Sequence, residues 1–244
     1  MTQPLIQRMN YHPDPREVNI SDRKVKARLD FILSKLDFKN QVVLDLGCSG
    51  GYFAFEIARV AKRVVAIDGD PEIIKRNKAL QLELEISNID FICSPISAEA
   101  IAEVGEVDIT LFLSVFHHML TMSDAYDWNN GLNSDFLRKM LLTLHKFTSN
   151  LVFEIGEVNE GYEWCERMPA ASASNENFVV QEVFGASYKS VDMYPGPVAV
   201  NILNKNLVSK FSQAFKQDSK LVSILKRIFK FDSRDLRKIY VGKK

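Results

Sequence analysis

Cysteine is scarce in this sequence. Cys48, Cys93 and Cys165 are its three cysteines, widely spaced and with no C-x-x-C pair. That excludes a disulfide scaffold and a cysteine-rich zinc site, and fits a reduced, cytoplasmic protein with no metal. Long apolar runs are missing too. The longest nearly uninterrupted one, Ile109 to Phe116, falls far short of the roughly 20 residues that span a membrane. The opening MTQPLIQRMNYHPDP has no apolar core and no small-residue cleavage site, so it does not read as a secretory signal. Internal repeats are absent. What is present is ordinary for a globular chain: 244 residues, 46% hydrophobic and 25% charged, enough for one large domain with appendages.

Net charge is also lacking, with 31 basic against 31 acidic residues, but the balance is uneven. Residues 205–244 hold 12 Lys+Arg against 3 Asp+Glu, a surplus of nine, so the body of the chain carries the matching deficit. Residues 1–40 read as a proline-containing arm followed by a helix in which Val25, Leu29, Ile32, Leu33 and Leu36 keep a helical spacing. Residues 41–204 alternate strands and helices. Strands are predicted at 42–47, 63–67, 89–92, 107–113 and 151–155, with helices at 52–61, 71–86, 98–104 and 134–146. Pro71 opens one helix and Ser97 caps another. Continuous apolar runs such as VVLDLG suit strands buried on both faces. The expectation is an α/β three-layer sandwich with a seven-stranded, mostly parallel sheet. Its last two strands are placed at Phe178–Phe184 and Pro197–Leu203. Residues 205–244, with Leu207, Phe211, Phe215, Leu225 and Ile228 between lysines, read as a basic amphipathic helical tail.

The chemistry concentrates where the first strand ends, in Asp45-Leu-Gly47-Cys48-Ser49-Gly-Gly51. A buried strand that stops at glycine and restarts as a helix lets a ligand approach the backbone. The spacing is not G-x-G-x-x-G, and no lysine follows as in a P-loop. Asp45 beside the turn disfavours a pyrophosphate and suits a cationic amino-acid group. Asp68 closes the second strand, 17 residues after Gly51, where a carboxylate accepts ribose hydroxyls. Asp45, Gly47, Gly51 and Asp68 thus describe a pocket for a nucleoside with an amino-acid arm and no phosphates, which is S-adenosylmethionine.

On these motifs the chain resembles the class I, Rossmann-like methyltransferases that use S-adenosylmethionine, over about residues 20–155. The resemblance implies that Cys48, Ser49 and Phe53 belong to the cofactor turn. Gly69 would follow the ribose carboxylate, and Ser94, Pro95 and Ile96 of FICSPIS would hold the adenine. Leu113 would lie beside the methionine arm. LSVFHHML (113–120), LVFEIGEVNEGYEW (151–164) and YPGPVAVNI (194–202) more narrowly resemble the methyltransferase domain of bifunctional O-antigen chain-terminating methyltransferase/kinases, which methylate a phosphate on a polysaccharide end. That family carries an arginine before its final strand, where this sequence is read as Val198-Ala199. The kinase part is not found in this sequence, and the terminal RKIYVGKK is a candidate first strand of something longer.

Three residues are candidates for catalysis. His117 and His118 follow the fourth strand and supply a base or a donor to an acceptor oxygen, with His117 favoured as the one facing inward. Glu154 ends the fifth strand and either holds a histidine or acceptor hydroxyl or pairs with a nearby basic side chain. Tyr11, Tyr162, Trp164 and Tyr194 are candidate lid residues, Arg167 and Lys189 candidate phosphate contacts, and Arg138 and Lys139 solvated. The expected activity is O-methylation of a small molecule or glycan, with a phosphate group as one acceptor. The alternatives are an RNA methyltransferase that uses the basic tail, and a binding or scaffold module without catalysis. The tail is also a candidate contact for an anionic membrane surface, placing the protein at the periphery of the inner membrane, or for a partner protein or nucleic acid.

Overall fold

The computed structural model describes residues 25–122, 126–127, 131–132, 135–156, 183–194 and 237–244. In chain order the elements begin with α1 (Val25–Lys35), β1 (Val42–Leu46), α2 (Tyr52–Ala58) and β2 (Arg63–Asp68). They continue with α3 (Pro71–Glu83), β3 (Ile89–Cys93), α4 (Ala98–Val104), β4 (Val107–Leu113) and α5 (Phe116–Met122). A small antiparallel pair, β5 (Tyr126–Asp127) and β6 (Gly131–Leu132), precedes α6 (Asp135–Phe147) and β7 (Thr148–Glu154). The last two strands are β8 (Ser190–Tyr194) and β9 (Ile239–Lys243).

Seven strands form one sheet in the order β3-β2-β1-β4-β7-β9-β8, and β9 alone runs against the others. The expected seven-stranded, mostly parallel sheet is therefore present. Side chains alternate across it because successive residues of a strand point to opposite faces. On β1, Val43 packs with α1, α2 and α3, while Leu44 and Leu46 pack with α4 and α6. On β4, Ile109 and Leu111 take the first face and Phe112 the second. Phe112, Phe116 and Phe153 meet edge to face at 5.7 Å, a geometry worth roughly 0.5–1.5 kcal/mol per pair beyond burial.

Local chemistry sets the helix starts as expected. Asp70 accepts from the N–H groups of Glu72 and Ile73, with Pro71 in the first turn of α3. Ser97 accepts from the N–H of Ala100 at the head of α4.

The sheet's last two strands differ from the sequence expectation. Val183 and Phe184 lie in a helical turn that runs into the 3-10 turn Gly185–Ser187, not in a strand. Residues 178–182 and 197–203 lie outside the described residues. The strands come instead from SVDMY and IYVGK. SVDMY is half exposed along its length and shows no clean apolar alternation. IYVGK is fully buried at Ile239, Tyr240 and Val241, but it closes a lysine-rich stretch that masks it. The tail is therefore not helical to its end: residues 239–243 are an interior strand. Residues 205–236, on which the amphipathic reading rests, lie outside the described residues. Gly242 is what lets β9 pass here. A Cβ at that position would sit 2.5 Å from the Phe184 ring and 3.0 Å from Tyr188.

Candidate active site

Strand order reverses between β1 and β4, since the chain first builds outward to β2 and β3 and then crosses back. In an open α/β sheet the crevice at the carboxyl ends of such strands is the ligand site. A cleft of about 640 Å³ opens there. Asp45, Gly47, Cys48, Ser49, Phe53, Asp68, Gly69, Pro95, Ile96, Leu113 and His118 of the sequence-predicted set line it. Gly51, Ser94, His117 and Glu154 do not.

The turn after β1 owes its shape to backbone bonds. Gly47 and Cys48 both donate to the carbonyl of Ile67. Gly47 takes φ 73°, and a Cβ there would meet the Val115 side chain at 2.3 Å. Glycine is required on both counts. Ser49 is also left-handed, at φ 47°. It is held by its own N–H, which donates to Asp68 Oδ2 at 2.9 Å, and by Asn77 Nδ2, which donates to its carbonyl at 2.8 Å. Asp68 Oδ1 accepts from the N–H of Asp70 at 3.0 Å. The Asp68 carboxylate is thus fixed in orientation, with further lone pairs left for hydroxyl donors.

Asp45 is 4% exposed, and its Oδ2 has no hydrogen-bond partner among the described residues. Burial, reinforced by the negative charge of Asp68, pushes its pKa up to about 7. Burial also raises the thiol pKa of Cys48, so this cysteine behaves as a small apolar residue of the wall and not as a nucleophile.

The β4–β7–β9 side brings arginine and carboxylate together. Glu154 is buried and forms no open wall of the cleft. Arg28 Nη2 pairs with its Oε2 at 2.8 Å, and Arg237 Nη1 stands 3.6 Å from its Oε1. Ser114 Oγ donates to Oε1 as well, and accepts from Arg237 Nη1 at 2.8 Å. Ser114 itself is held in the left-handed region at φ 61°. Both guanidinium groups thus meet Glu154, and Arg28 brings one of them to the cleft wall. The Arg28 guanidinium lies 5.4 Å from the centre of the Phe53 ring, which also lines the cleft.

The alternative reading of Glu154, as partner of a basic side chain, is the one the geometry matches. His118, and not the favoured His117, lines the cleft. His117 is 2% exposed, its ring 4.2 Å from that of His118. Tyr194 packs edge to face on Phe31 at 5.3 Å rather than over the cleft. Lys189 is exposed and away from the cleft lining, while Lys139 pairs with Glu99 across the surface at 2.5 Å. Tyr11, Tyr162, Trp164 and Arg167 lie outside the described residues.

Arg28, Ser114 and Arg237 were missed in the sequence. Arg28 left a trace: Val25, Arg28, Leu29 and Ile32 share one helical stripe, and a charge at a buried-stripe position is out of place unless it is paired. Arg237 became invisible once the final strand was sought at 197–203. The structure's final strand is β9, and an arginine does stand just before it.

Residues 37–214 match the family model described as "Methyltransferase domain". Among curated proteins, the chain is 27% identical over 203 residues to the O-antigen chain terminator bifunctional methyltransferase/kinase WbdD of Escherichia coli. That alignment takes in 80% of this chain and 27% of the relative, so the chain spans about a quarter of that protein's length. It is 30% identical over 93 residues to the ubiquinone biosynthesis O-methyltransferase of Xanthomonas oryzae pv. oryzae, covering 38% of each. Among solved structures, WbdD superposes with a TM-score of 0.56 at 20% identity over 92% of this chain and 40% of that one. The N-methyltransferase NodS from Bradyrhizobium japonicum superposes with a TM-score of 0.54 at 14% identity, over 92% and 97%. With the family model covering most of its length, and with the sheet order and cleft described above, the chain belongs to the methyltransferase domain family.

Proposed function

We propose that the protein transfers a methyl group from S-adenosylmethionine to an oxygen of an anionic acceptor, a phosphate or carboxylate carried by a small molecule or glycan. One observation carries the reading: a single cleft has the carboxylates Asp45 and Asp68 on its β1–β2 side and the guanidinium of Arg28, beside Ser114, on the other. When bound, the cofactor supplies an activated methyl group whose transfer needs positioning more than proton chemistry.

The residues fit such a ligand. The orphaned Asp45 Oδ2 is a buried acceptor without a donor, which a ligand ammonium would satisfy. Asp68, held from behind by two N–H groups, would accept ribose hydroxyls. Gly47, Cys48, Ser49 and Gly51 would let the amino-acid arm lie on the backbone, with Phe53 and Leu113 closing around it. Gly69, Ser94, Pro95 and Ile96 would border the base, where Ile73 adds an apolar wall.

On the acceptor side Arg28 would orient and partly neutralise an anion, with Ser114 beside it. An acceptor oxygen that is already ionised needs no base. His118 would serve as a hydrogen-bond donor, or as the base where the acceptor is a hydroxyl. Glu154 would act as a positioning residue that holds both arginines. Resemblance to O-antigen and ubiquinone O-methyltransferases supports transfer to oxygen. The basic stretch 205–236 remains a candidate for docking on an anionic membrane surface, and a peripheral cytoplasmic location goes with that reading.

The test is a methyl-transfer assay with radiolabelled cofactor on paired acceptors, one ending in phosphate or carboxylate and one in a hydroxyl. The anionic acceptors are expected to be the substrates. Arg28→Ala is expected to lower their kcat/KM by at least about thirtyfold, the order of loss for a desolvated charge contact. Transfer only to neutral hydroxyls, unaffected by Arg28→Ala, would refute the acceptor assignment.

A further inference from the structure

Asp45 is an unusual choice for the inside of a sheet. Its neighbours in register are Ala66 on β2 and Leu111 on β4, whose side chains offer neither a donor nor a charge. The ionisable groups that face it are Asp68, at the tip of β2, and Cys48, in the turn that follows β1. Both disfavour its anionic form or leave it unchanged. Asn77 on α3 spends its amide on the Ser49 carbonyl. Of the basic side chains in the cleft wall, Arg28 is engaged by Glu154, and His118 enters from α5. No ion pair to Asp45 or Asp68 is found among the described residues. A carboxyl group that has lost its water and has a second carboxylate for company is more stable protonated.

We propose that ligand binding in this cleft is proton-linked: Asp45 stands as a neutral acid in the free protein and releases its proton to solvent when a ligand ammonium comes to lie against it. The inference rests on the cofactor reading above and adds its regulation by pH. The charge change is balanced. The acid becomes a carboxylate, the proton goes to buffer, and the new anion is matched by the arriving cation.

The burial-raised value of about 7 places the effect within the ordinary working range. Below it, binding must first drive the proton off, so affinity falls by up to about tenfold per pH unit. Between pH 7.5 and pH 5.5 the loss is on the order of 25-fold. Above about pH 8 Asp45 is already ionised in the free protein, so binding no longer displaces a proton from it. The release therefore fades as the pH rises through neutrality.

Calorimetric titration of the full chain with S-adenosylhomocysteine, in two buffers of different ionisation enthalpy, counts these protons. Release of close to one proton per ligand is expected at pH 6, and almost none at pH 8.5. Asp45→Asn is expected to abolish the release at pH 6 and flatten the affinity between pH 5.5 and pH 7.5. Equal release by wild type and Asp45→Asn would assign the proton to His118 or another group and overturn the proposal. Tight binding by wild type without release at pH 6 would overturn it without any variant. Absence of binding at every pH would instead remove the cofactor reading, and this inference with it.

Discussion

On the β1–β2 side of the cleft, the glycine turn and both carboxylates lie in one stretch, from Asp45 to Asp70, and most of the geometry is backbone. Glycine and left-handed serine shape the turn, main-chain N–H groups fix Asp68, and the charge is negative. On the β4–β7–β9 side, four residues from Arg28 to Arg237 meet mainly through side chains. They gather on one buried carboxylate, and Arg28 carries a guanidinium to the cleft wall. The contrast separates two kinds of site. The first is a local property of the chain and survives as long as the turn folds. The second exists only when α1, β4, β7 and the segment before β9 are all in place, so it fails as a unit.

That difference can be broken at several points. Glu154→Ala removes the buried carboxylate that both Arg28 and Arg237 pair with. A loss of about 3–5 kcal/mol is expected in urea unfolding, as for other broken buried pairs. A change below about 1 kcal/mol would put the two sides on the same footing. Gly242→Ala pushes a methyl group against Phe184 and disturbs β9, at an expected cost of about 1–3 kcal/mol. Binding of S-adenosylhomocysteine should persist in the folded variant, because β4 and β7 stand between β9 and β1. Simultaneous loss of binding would show that the two sides are coupled. Asp68→Ala sharpens the comparison from the other side. It should weaken that ligand at least about tenfold, or about 1.4 kcal/mol, while anion binding at Arg28 stays as it was. Unchanged ligand affinity would remove Asp68 from the ribose role.

The same division explains what could be read in advance. Five parallel strands announced themselves as apolar runs, and the turn from Asp45 to Gly51 with Asp68 announced the cleft, because these signals are contiguous. The final strands did not. β8 is polar and half exposed, and β9 hides three buried residues within a basic stretch whose charge suggests a surface. Once β9 was misplaced, Arg237 had no reason to be near the cleft. Arg28 stood in plain sight on the α1 stripe, but its partner lies 126 residues further along the chain, and no spacing rule connects them. His117 and His118 show the limit of adjacency. Two neighbouring residues at the start of a helix point about 100° apart, and only packing decides which one reaches the cleft.

β9 also fixes an order of assembly. It sits between β7 and β8, so in the seven-stranded sheet β8 has no neighbour until residues 239–243 arrive. As the chain emerges from the ribosome, β1 to β4 and their glycine turn can close first, since their contacts are near in sequence. The arginine pair is completed only once residues 237–243 have been added. A chain lacking those residues would carry the glycine turn without Arg237 opposite it, so the two sides of the cleft come together at different stages of folding.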